Sequence, residues 1–319
     1  MPIVPSDFKV PSSTDLGDGR LRPSTMADLA SDHAVYLRNR NRLDGVYDPN
    51  ETPLPDGADL LWLSFARLGY CEWQRFNLES FCYGIMDPDE DRQIGRLHIE
   101  PSASTEFDAQ AILWVGADDC HRDDQLAEQV RDWLASCWPF ESVAMPGRTE
   151  SWEALTKPLL VPPDYDVPQR VNAGDFVVRS MTINDYLEDF TAVTSSVPEI
   201  RSVYRPGHTE WPAVEFTLHQ NLAALGAVQW EHHHRMLFTY GVMTPDDRRQ
   251  MGCVYVAPSA VDPFDAEVSF WVRKEEYENG FHDLLVPWLH NWIKTSWLFD
   301  NPAFPGGSIS WDEWNHMTG

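Results

Sequence analysis

The sequence predicts an α/β protein built from two tandem copies of one domain, and two observations lead to this prediction. First, a shift of 157 positions lays the second half on the first from Asp7/Asp164 to beyond Trp114/Trp271 without a gap. Second, strand and helix signals follow the same order in both halves. A repeat this long exceeds the roughly 20 to 50 residues of solenoid units. We therefore expect one domain over residues 1–157 and a second over 158–319.

Both halves carry the element order β-α-α-β-β-β-α. A Thr-x-x-Asp sequence opens the first helix, at Thr25–Asp28 and Thr182–Asp185, where the Asp favours the helix dipole and can close a capping box. The other elements expected in the first half are an opening strand at Arg20–Pro23, a second helix at Leu60–Arg75, three strands at Phe81–Met86, Ile94–Glu100 and Ala109–Val115, and a long helix at Asp124–Trp138. Their counterparts in the second half are the opening strand Phe176–Arg179, the second helix Ala213–Trp230, the three strands Leu237–Met243, Met251–Ala257 and Ala266–Val272, and the long helix Gly280–Trp297.

Composition limits the class of protein and of partner. A hydrophobic content of 43% with 14 Trp can fill two cores, which excludes a disordered chain. A formal net charge of -26 argues against a nucleic-acid partner, because phosphate binding needs a cationic face. The acidity either maintains solubility or favours cationic amine ligands. No apolar run approaches the roughly 20 residues of a membrane span, and the chain start has no secretion-signal pattern, so we expect a cytoplasmic protein without membrane contact.

The cysteine and histidine patterns predict no metal site. The five cysteines are odd in number and have no C-x-x-C spacing, so they predict buried thiols and not a disulfide framework or a zinc ribbon. The run His232–His234 is consecutive in sequence, and adjacent residues on one element do not converge on a single ion.

Several segments resemble the GCN5-related N-acetyltransferase (GNAT) superfamily, and more narrowly an uncharacterised bacterial branch of it. These segments are Leu21–Thr25 with Asp28, Phe238–Met243 with Gly252–Tyr255, Ala266–Val272, and the chain ends Pro146–Arg148 with Ser151–Glu153 and Pro305–Gly307 with Ser310–Trp314. The resemblance covers nearly all of both halves. It implies two GNAT-like domains, each with a mixed, mostly antiparallel sheet flanked by helices, and an acyl-CoA-dependent N-acyltransferase activity toward a small amine.

The resemblance also implies an acetyl-CoA site where the third strand gives way to the long helix. Backbone N–H groups at such a helix start can hold a pyrophosphate. In the second half, this cradle would run from Val272 to Phe281 and include Arg273, Lys274 and Gly280. The first half carries several carboxylates there, with Asp123 at the position of Gly280, and these would repel phosphate. We therefore expect the second half to be the active one and the first to be degenerate.

A catalytic base is expected on the strand before this cradle. Strand alternation places Glu267, Ser269 and Trp271 on one side, and a carboxylate there could take a proton from an amine, directly or through water. Tyr255, on the neighbouring strand, is the candidate acid for the departing thiolate. The first half has Gln110 in place of Glu267, and an amide cannot act as a base. Equally ordinary interpretations are that Glu267 is a solvated strand residue and that Tyr255 is a core aromatic.

Two alternatives stay open at this point. The chain could be a non-catalytic GNAT-like binding or scaffold protein, since both phosphate loops depart from the family pattern. It could instead catalyse a CoA-free lyase or hydrolase reaction, with His98 flanked by Arg96 and Glu100 on one strand face. In either case the unequal divergence of the halves suggests an intramolecular pseudo-dimer, in which one copy supports the other.

Overall fold

A computed structural model describes residues 2–43, 55–89, 92–204, 211–212 and 215–318 of the chain. The chain divides into two compact units, Met1–Pro158 and Leu159–Gly319, here called unit 1 and unit 2. Each unit contains one six-stranded sheet. Within the described ranges, no helix combines the length and the apolar character needed to cross a membrane.

The described elements of unit 1 share one sheet and three long or medium helices. In chain order they are β1 (Thr14–Asp15), β2 (Arg20–Pro23), α1 (Leu29–Leu43), α2 (Gly57–Phe76), β3 (Phe81–Met86), β4 (Gln93–Glu100), β5 (Ala109–Val115), α3 (Asp123–Cys137) and β6 (Val143–Ala144).

The described elements of unit 2 follow the same plan with extra short helices. They are β7 (Arg170–Asn172), β8 (Val177–Ser180), α4 (Tyr186–Thr194), α5 (Val197–Glu199), α6 (Leu218–His233), β9 (Phe238–Met243), β10 (Gln250–Ala257), β11 (Ala266–Val272), α7 (Lys274–Glu278), α8 (Phe281–Ser296), β12 (Pro302–Ala303) and α9 (Trp311–Thr318). A π-helical turn, Ile200–Tyr204, follows α5.

The two sheets have matching topology. The strand order is β1 to β6 in unit 1 and β12 to β7 in unit 2. All neighbours pair antiparallel except the last pair of each unit, β5 with β6 and β11 with β12, which are parallel. The predicted architecture, an α/β protein with two mixed, mostly antiparallel sheets flanked by helices, is therefore confirmed.

The predicted helix starts are confirmed in atomic detail. The Thr25 backbone N–H donates to Asp28 Oδ2 at 2.9 Å, and the Thr182 N–H donates to Asp185 Oδ2 at 2.8 Å. Both are capping boxes, and each precedes one turn of 3-10 helix that leads into α1 or α4. Local polar chemistry thus fixes the chain entry to both first helices.

Other predicted bounds differ by a few residues or fall outside the described part. The second helix of unit 2 begins at Leu218, because Thr217 caps it with Gln220 in a third capping box. The predicted start, Ala213, lies outside the described residues. Helix α7 was expected to be a loop; Glu275 and Glu276 stand in its first turn, where carboxylates favour the helix dipole.

The main core of unit 1 lies between the sheet and α3. Every second residue of β5, namely Ala109, Ala111, Leu113 and Val115, faces α3 and packs with Leu126, Val130, Trp133 and Leu134. The opposite face of β5 carries Trp114, which packs with α1 and α2. Helices thus cover both faces of β5, so a residue that contacts a ligand on this sheet must lie at a strand end or along the edge of β5. The same pattern applies to β11 in unit 2.

The expectation of five buried thiols is wrong for two of them. Cys71, Cys82 and Cys253 are buried, whereas Cys120 and Cys137 are exposed. Cys137 ends α3 on its solvent side and Cys120 lies in the turn that precedes α3. The sequence offered no periodic signal for these two positions because both stand at element ends.

Candidate functional site

One edge of β11 is only partly covered by its neighbour. β12 pairs with Ala266 and Glu267 and then diverges, while β10 pairs along the other edge as far as Val272. The Arg273 N–H donates to Met251 O on the β10 side. Since the backbone groups of a strand alternate between its edges, those of Phe270 and Val272 point toward the side that β12 has left. Strands β11 and β12 are thus paired only as far as Glu267, and beyond it they leave a V-shaped gap.

The two predicted catalytic residues lie on the same face of this sheet. Tyr255 on β10 is paired with Ser269 on β11, and Glu267 is paired with Ala257. Directly paired residues of antiparallel strands share a face, which makes Tyr255 and Glu267 diagonal neighbours, roughly 7 to 8 Å apart by ordinary sheet geometry. Both side chains are half-buried. The structure thus places the two side chains on one face, near the end of the β11–β12 pairing.

Tyr255 is oriented by a neighbour on β11. The Trp271 indole Nε1–H donates to Tyr255 Oη at 3.0 Å. Because the hydroxyl oxygen accepts this bond, the hydroxyl proton is directed to another acceptor, and Cys253 lies within its hydrogen-bonding reach. The pairing also fixes the ring position, which a proton donor needs.

The predicted phosphate cradle has a different local structure from the expected open loop. The Arg273 N–H donates to Met251 O at 2.8 Å, the Lys274 N–H to Ser196 Oγ at 3.2 Å, and the Gly280 N–H to Tyr277 O at 3.1 Å. Three of the five proposed cradle residues therefore have their backbone donors bonded within the protein. The part of the cradle that faces outward is the first turn of α8, which begins at Phe281.

Gly280 provides space at that helix start. It is the N-cap of α8 with φ of +80°, and a side chain built there would meet no atom within 4 Å. Glycine adopts this left-handed conformation without the steric penalty that other residues have. A ligand can therefore approach the first N–H groups of α8 closely, although Asp283 in the same turn adds a negative charge.

Aromatic side chains line the approach to the helix start. Tyr204 packs against Phe270 and Tyr277 with ring centroids 5.6 and 6.3 Å away, and His282 lies 6.2 Å from it. Tyr204 is buried, and its hydroxyl lies next to the Val272 backbone without a well-aligned hydrogen bond. Burial raises the pKa of this hydroxyl, so it stays protonated at neutral pH.

Charges around the cradle are mixed. Arg249 makes ion pairs with both Glu275 and Glu276. Lys274 lies 3.8 Å from Glu199 and 4.0 Å from Glu278. Of the two cationic residues predicted to hold a phosphate, Lys274 lies beside carboxylates, with which a phosphate would compete for it, and Arg273 Nη1 donates to the Gln250 carbonyl at 3.4 Å.

Unit 1 closes the same edge with its own side chains. Arg148 Nη2 donates to the carbonyl of Leu113, the β5 residue equivalent to Phe270, at 3.2 Å, and to Asp123 Oδ1 at 2.7 Å. This ion pair forms part of the wall of a cavity of about 230 Å³, whose lining also includes Asn39, Arg42, Trp114 and Cys120. In the register of the repeat, Gly280 and Gly307 of unit 2 replace Asp123 and Arg148.

The face of the unit 1 sheet that corresponds to the face of Tyr255 and Glu267 also differs from it in its residues. Gln110, at the position of Glu267, donates from Nε2 to Glu100 Oε1 at 2.6 Å. Arg96 is not exposed to a cleft: it is buried and binds Asp32 through Nε and Nη2 at 2.7 and 2.6 Å. The suggestion that Arg96 assists His98 in catalysis is therefore wrong, because Arg96 is a partner of a buried carboxylate.

Sequence inspection missed two buried polar groups. In unit 1, Asp32 binds Arg67 and Arg96, and Cys71 and Cys82 lie beside His98. The register of the repeat carried a signal for them, because unit 2 has Ala224 where unit 1 has Arg67. A charged residue at a position that holds alanine in the other copy indicates a charged partner that is present in only one copy.

No protein-family model matches this chain, and no curated protein matches it. Solved structures do. The ribosomal-protein-S5-alanine acetyltransferase from Vibrio fischeri matches 40% of this chain and 67% of its own at 16% identity, with a TM-score of 0.33. The N-myristoyltransferase from Saccharomyces cerevisiae matches 91% of this chain and 75% of its own at 10% identity and a TM-score of 0.28.

A tandem GNAT protein from the clavulanic acid biosynthesis pathway covers 86% of both chains at 13% identity, with a TM-score of 0.26. These are similarities of fold at low identity. The repeated sequence and the matching strand order of the two sheets show a duplicated fold independently of these comparisons. The chain is thus a tandem pair of similar units, each with one mixed, mostly antiparallel sheet.

Proposed function

We propose that unit 2 is an acyl-CoA-dependent N-acyltransferase that transfers an acetyl group to a small amine. The observation that carries the proposal is the difference between the β5 edge of unit 1 and the β11 edge of unit 2. Unit 1 spans its edge with the Arg148–Asp123 ion pair, and unit 2 has Gly307 and Gly280 at these positions. Acetyl-CoA as the donor, an amine as the acceptor and a cytoplasmic setting stay predictions from the sequence.

The edge and the helix start of unit 2 suit the two recognisable parts of an acyl-CoA. Its amide-bearing arm can pair with the open backbone of β11 as a short extra strand. Its pyrophosphate can lie at the first turn of α8, beside Gly280 and Phe281, where unsatisfied N–H groups and the helix dipole favour an anion. When bound, the thioester supplies an acyl group that an amine can take.

The residues of this chain then handle two protons. Glu267 accepts the proton of the attacking amine, directly or through water, while the C–S bond breaks. Tyr255, held by Trp271, donates its hydroxyl proton to the departing sulfur. General acid and base groups of this kind each contribute roughly 10²- to 10⁴-fold to a rate.

Calorimetric titration of acetyl-CoA into the full chain tests the binding site. Gly280→Asp places a carboxylate at the start of α8 and should abolish binding. Gly280→Asn is the matched control, because Asn has the same shape, tolerates the left-handed conformation and carries no charge. Failure of the unchanged chain to bind any CoA thioester would discard the acyltransferase and favour the scaffold or CoA-free alternatives.

Catalysis is tested separately from binding. Glu267→Gln should lower kcat by roughly 10²-fold or more at unchanged acetyl-CoA affinity, because the amide retains the shape but accepts no proton. The matched control is Gln110→Ala in unit 1, which should leave kcat unchanged. Equal loss of rate in both variants would contradict the assignment of the active face to unit 2.

A further inference from the structure

Unit 1 contains a buried cluster of two thiols and one imidazole that the proposed function does not use. Cys71 on α2, Cys82 on β3 and His98 on β4 place their sulfur and nitrogen atoms within 4.8 Å of one another. Cys82 and His98 are directly paired between the strands. The side chains of Cys71 and Cys82 are almost fully enclosed, at 1% and 3% exposure, and His98 is half-buried.

A guanidinium group lies against this cluster. Arg67 Nη1 is 3.5 Å from Cys71 Sγ and 3.3 Å from His98 Nε2. Arg67 also donates to Asp32 at 2.5 Å, and Arg96 donates to the same carboxylate. Two buried guanidinium groups therefore share one buried carboxylate. The contact of Arg67 with Cys71 Sγ places a positive charge beside this sulfur, where it favours the thiolate over the thiol.

The two thiols are not equivalent. Burial alone would raise the pKa of Cys71, but the Cys82 hydrogen bond and the Arg67 charge outweigh it and hold this pKa well below its usual range. Burial and the neighbouring Cys71 raise the pKa of Cys82 well above its usual range. Of the two sulfurs, Cys71 Sγ is therefore the one that loses its proton more readily.

The position of Arg67 disfavours a metal ion in this cluster. Two thiolates and one imidazole are a common ligand set for zinc. Here, however, Arg67 Nη1 stands in contact with both Cys71 and His98, where a cation bound to them would have to lie. A thiolate stabilised by a guanidinium is the arrangement found in reactive cysteines.

We propose that Cys71 and Cys82 form a dithiol that hydrogen peroxide oxidises to a disulfide. The Cys71 thiolate attacks one peroxide oxygen, the O–O bond breaks, and hydroxide leaves as Cys71 becomes a sulfenic acid. The Cys82 sulfur then attacks Cys71 Sγ, the S–O bond breaks, and water leaves with the thiol proton. The two sulfurs lose two electrons and the peroxide gains them. The proposal is independent of acyl transfer in unit 2.

The burial of Cys71 and Cys82 indicates that their oxidant is a small molecule. Larger disulfide oxidants would have to reach sulfurs that are 1% and 3% exposed, whereas hydrogen peroxide is uncharged and little larger than water. Unit 2 has Val228, Thr239 and Ala224 at the positions of Cys71, Cys82 and Arg67, so the chemistry belongs to one copy of the repeat.

Cys253 provides an internal control. It is 2% exposed, against 1% for Cys71, but burial raises its pKa well above the usual range, and among the described residues its hydrogen-bond partners are Met181, Gln250 and Tyr255 and no arginine. If burial alone decided reactivity, both cysteines would be inert. If the Arg67-stabilised thiolate decides it, Cys71 reacts and Cys253 does not.

The test uses the full chain with the exposed thiols removed by Cys120→Ser and Cys137→Ser. After brief hydrogen peroxide treatment, alkylation and non-reducing mass spectrometry, we expect a Cys71–Cys82 cross-link, formed roughly tenfold or more faster than any oxidation of Cys253. With Cys82→Ser added, oxidation should stop at a Cys71 sulfenic acid that dimedone traps.

Two outcomes would overturn the proposal. One is that Cys71 oxidises no faster than Cys253 in the folded chain. The other is that the purified chain holds stoichiometric zinc that is lost in Cys71→Ser, which would make the cluster a metal site. Because Cys71 and Cys253 are compared within one folded molecule that keeps both residues, this comparison does not depend on whether Cys71→Ser or Cys82→Ser folds.

Discussion

At the scale of single residues, the two copies treat one buried carboxylate in opposite ways. Asp32 of unit 1 is fully enclosed, and although burial opposes ionisation, Arg67 and Arg96 hold its pKa at about 2. Its counterpart Asp189 in unit 2 has no such partners, because Ala224 and Cys253 replace the two arginines. Burial raises the pKa of Asp189 to about 6, against the hydrogen bonds from Gln250 and Asn221.

This contrast predicts opposite effects of one substitution. A carboxyl whose pKa is raised on folding, here from 3.8 to about 6, contributes its full stability below the unfolded value and loses it as the pH rises through the folded value. Asp189→Asn should therefore stabilise unit 2 at pH 8 by about 2 to 3 kcal/mol, with no gain near pH 3. Hydrogen exchange of β9 and β10 peptides would measure the change.

Asp32→Asn is the matched control. It removes the negative charge that two buried guanidinium groups share and should destabilise unit 1 by about 3 to 5 kcal/mol at neutral pH. The readout is hydrogen exchange of β3 and β4 peptides. If Asp189→Asn destabilised unit 2 at pH 8, the carboxylate would be ionised and paired, contrary to this account.

The repeat made part of the candidate site predictable from sequence. The contrasts of Glu267 with Gln110 and of Gly280 with Asp123 are visible in the register, because both members of each pair lie in well-aligned strands or helix starts. The group formed by Asp32, Arg67 and Arg96 was not predicted, since its members come from three elements and only packing brings them together.

At the scale of elements, a glycine in the strand before the site is required by close backbone contact. A side-chain carbon built on Gly252 would lie 2.2 Å from the Trp271 carbonyl oxygen, and on Gly95 of unit 1 it would lie 2.3 Å from that of Trp114. Each glycine follows a register shift in its strand pairing. Backbone cannot move aside as a flexible side chain can, so β10 and β11 depend on this residue.

Gly252→Ala should therefore destabilise unit 2 by about 1 to 3 kcal/mol and loosen the β10–β11 pairing that positions Tyr255. Urea unfolding would give the free energy. The matched control is Gly241→Ala on the adjacent strand β9, where the new carbon would meet only Met243 and Met181 side chains. Equal losses in the two variants would show that glycine flexibility, and not the Trp271 carbonyl, sets the effect.

Strong periodic elements were predictable and short ones were not. The strand bounds Ala109–Val115 and Ala266–Val272 are confirmed to the residue, because most residues of each strand are apolar and the register of the repeat aligns the two strands. The two-residue strands β6 and β12 went unpredicted, since two residues show no alternation and only pairing with β5 or β11 makes them strands. Helix α7 was missed because it is a single turn or so of charged residues.

At the scale of the whole molecule, the main electrostatic property is the negative net charge. A formal charge of -26 over 319 residues creates mutual repulsion among the surface carboxylates. The described ion pairs within each unit offset part of it, and most of them are partly exposed, where each contributes little. The tandem arrangement keeps two units of this sign on one chain, and the predicted pseudo-dimer stays a prediction.

Salt should therefore stabilise the protein. Raising sodium chloride from about 20 to about 200 mM shortens the screening length from roughly 20 Å to below 10 Å and weakens the repulsion. We expect the thermal unfolding temperature to rise by a few degrees. Sucrose at equal osmolality is the control for exclusion effects. A decrease with salt would mean that the ion pairs outweigh the net charge.

The Arg148–Asp123 pair has a thermodynamic consequence for the two copies. In unit 1, Arg148 bonds both the edge of β5 and Asp123 at the start of α3. The unfolding free energy of unit 1 should therefore not change with CoA concentration. Unit 2 has two glycines at these positions and, under the proposed function, obtains the missing contacts only from its ligand. Its stability should then increase with the logarithm of ligand concentration, so that the abundance of a single polypeptide would depend on acyl-CoA through its second half.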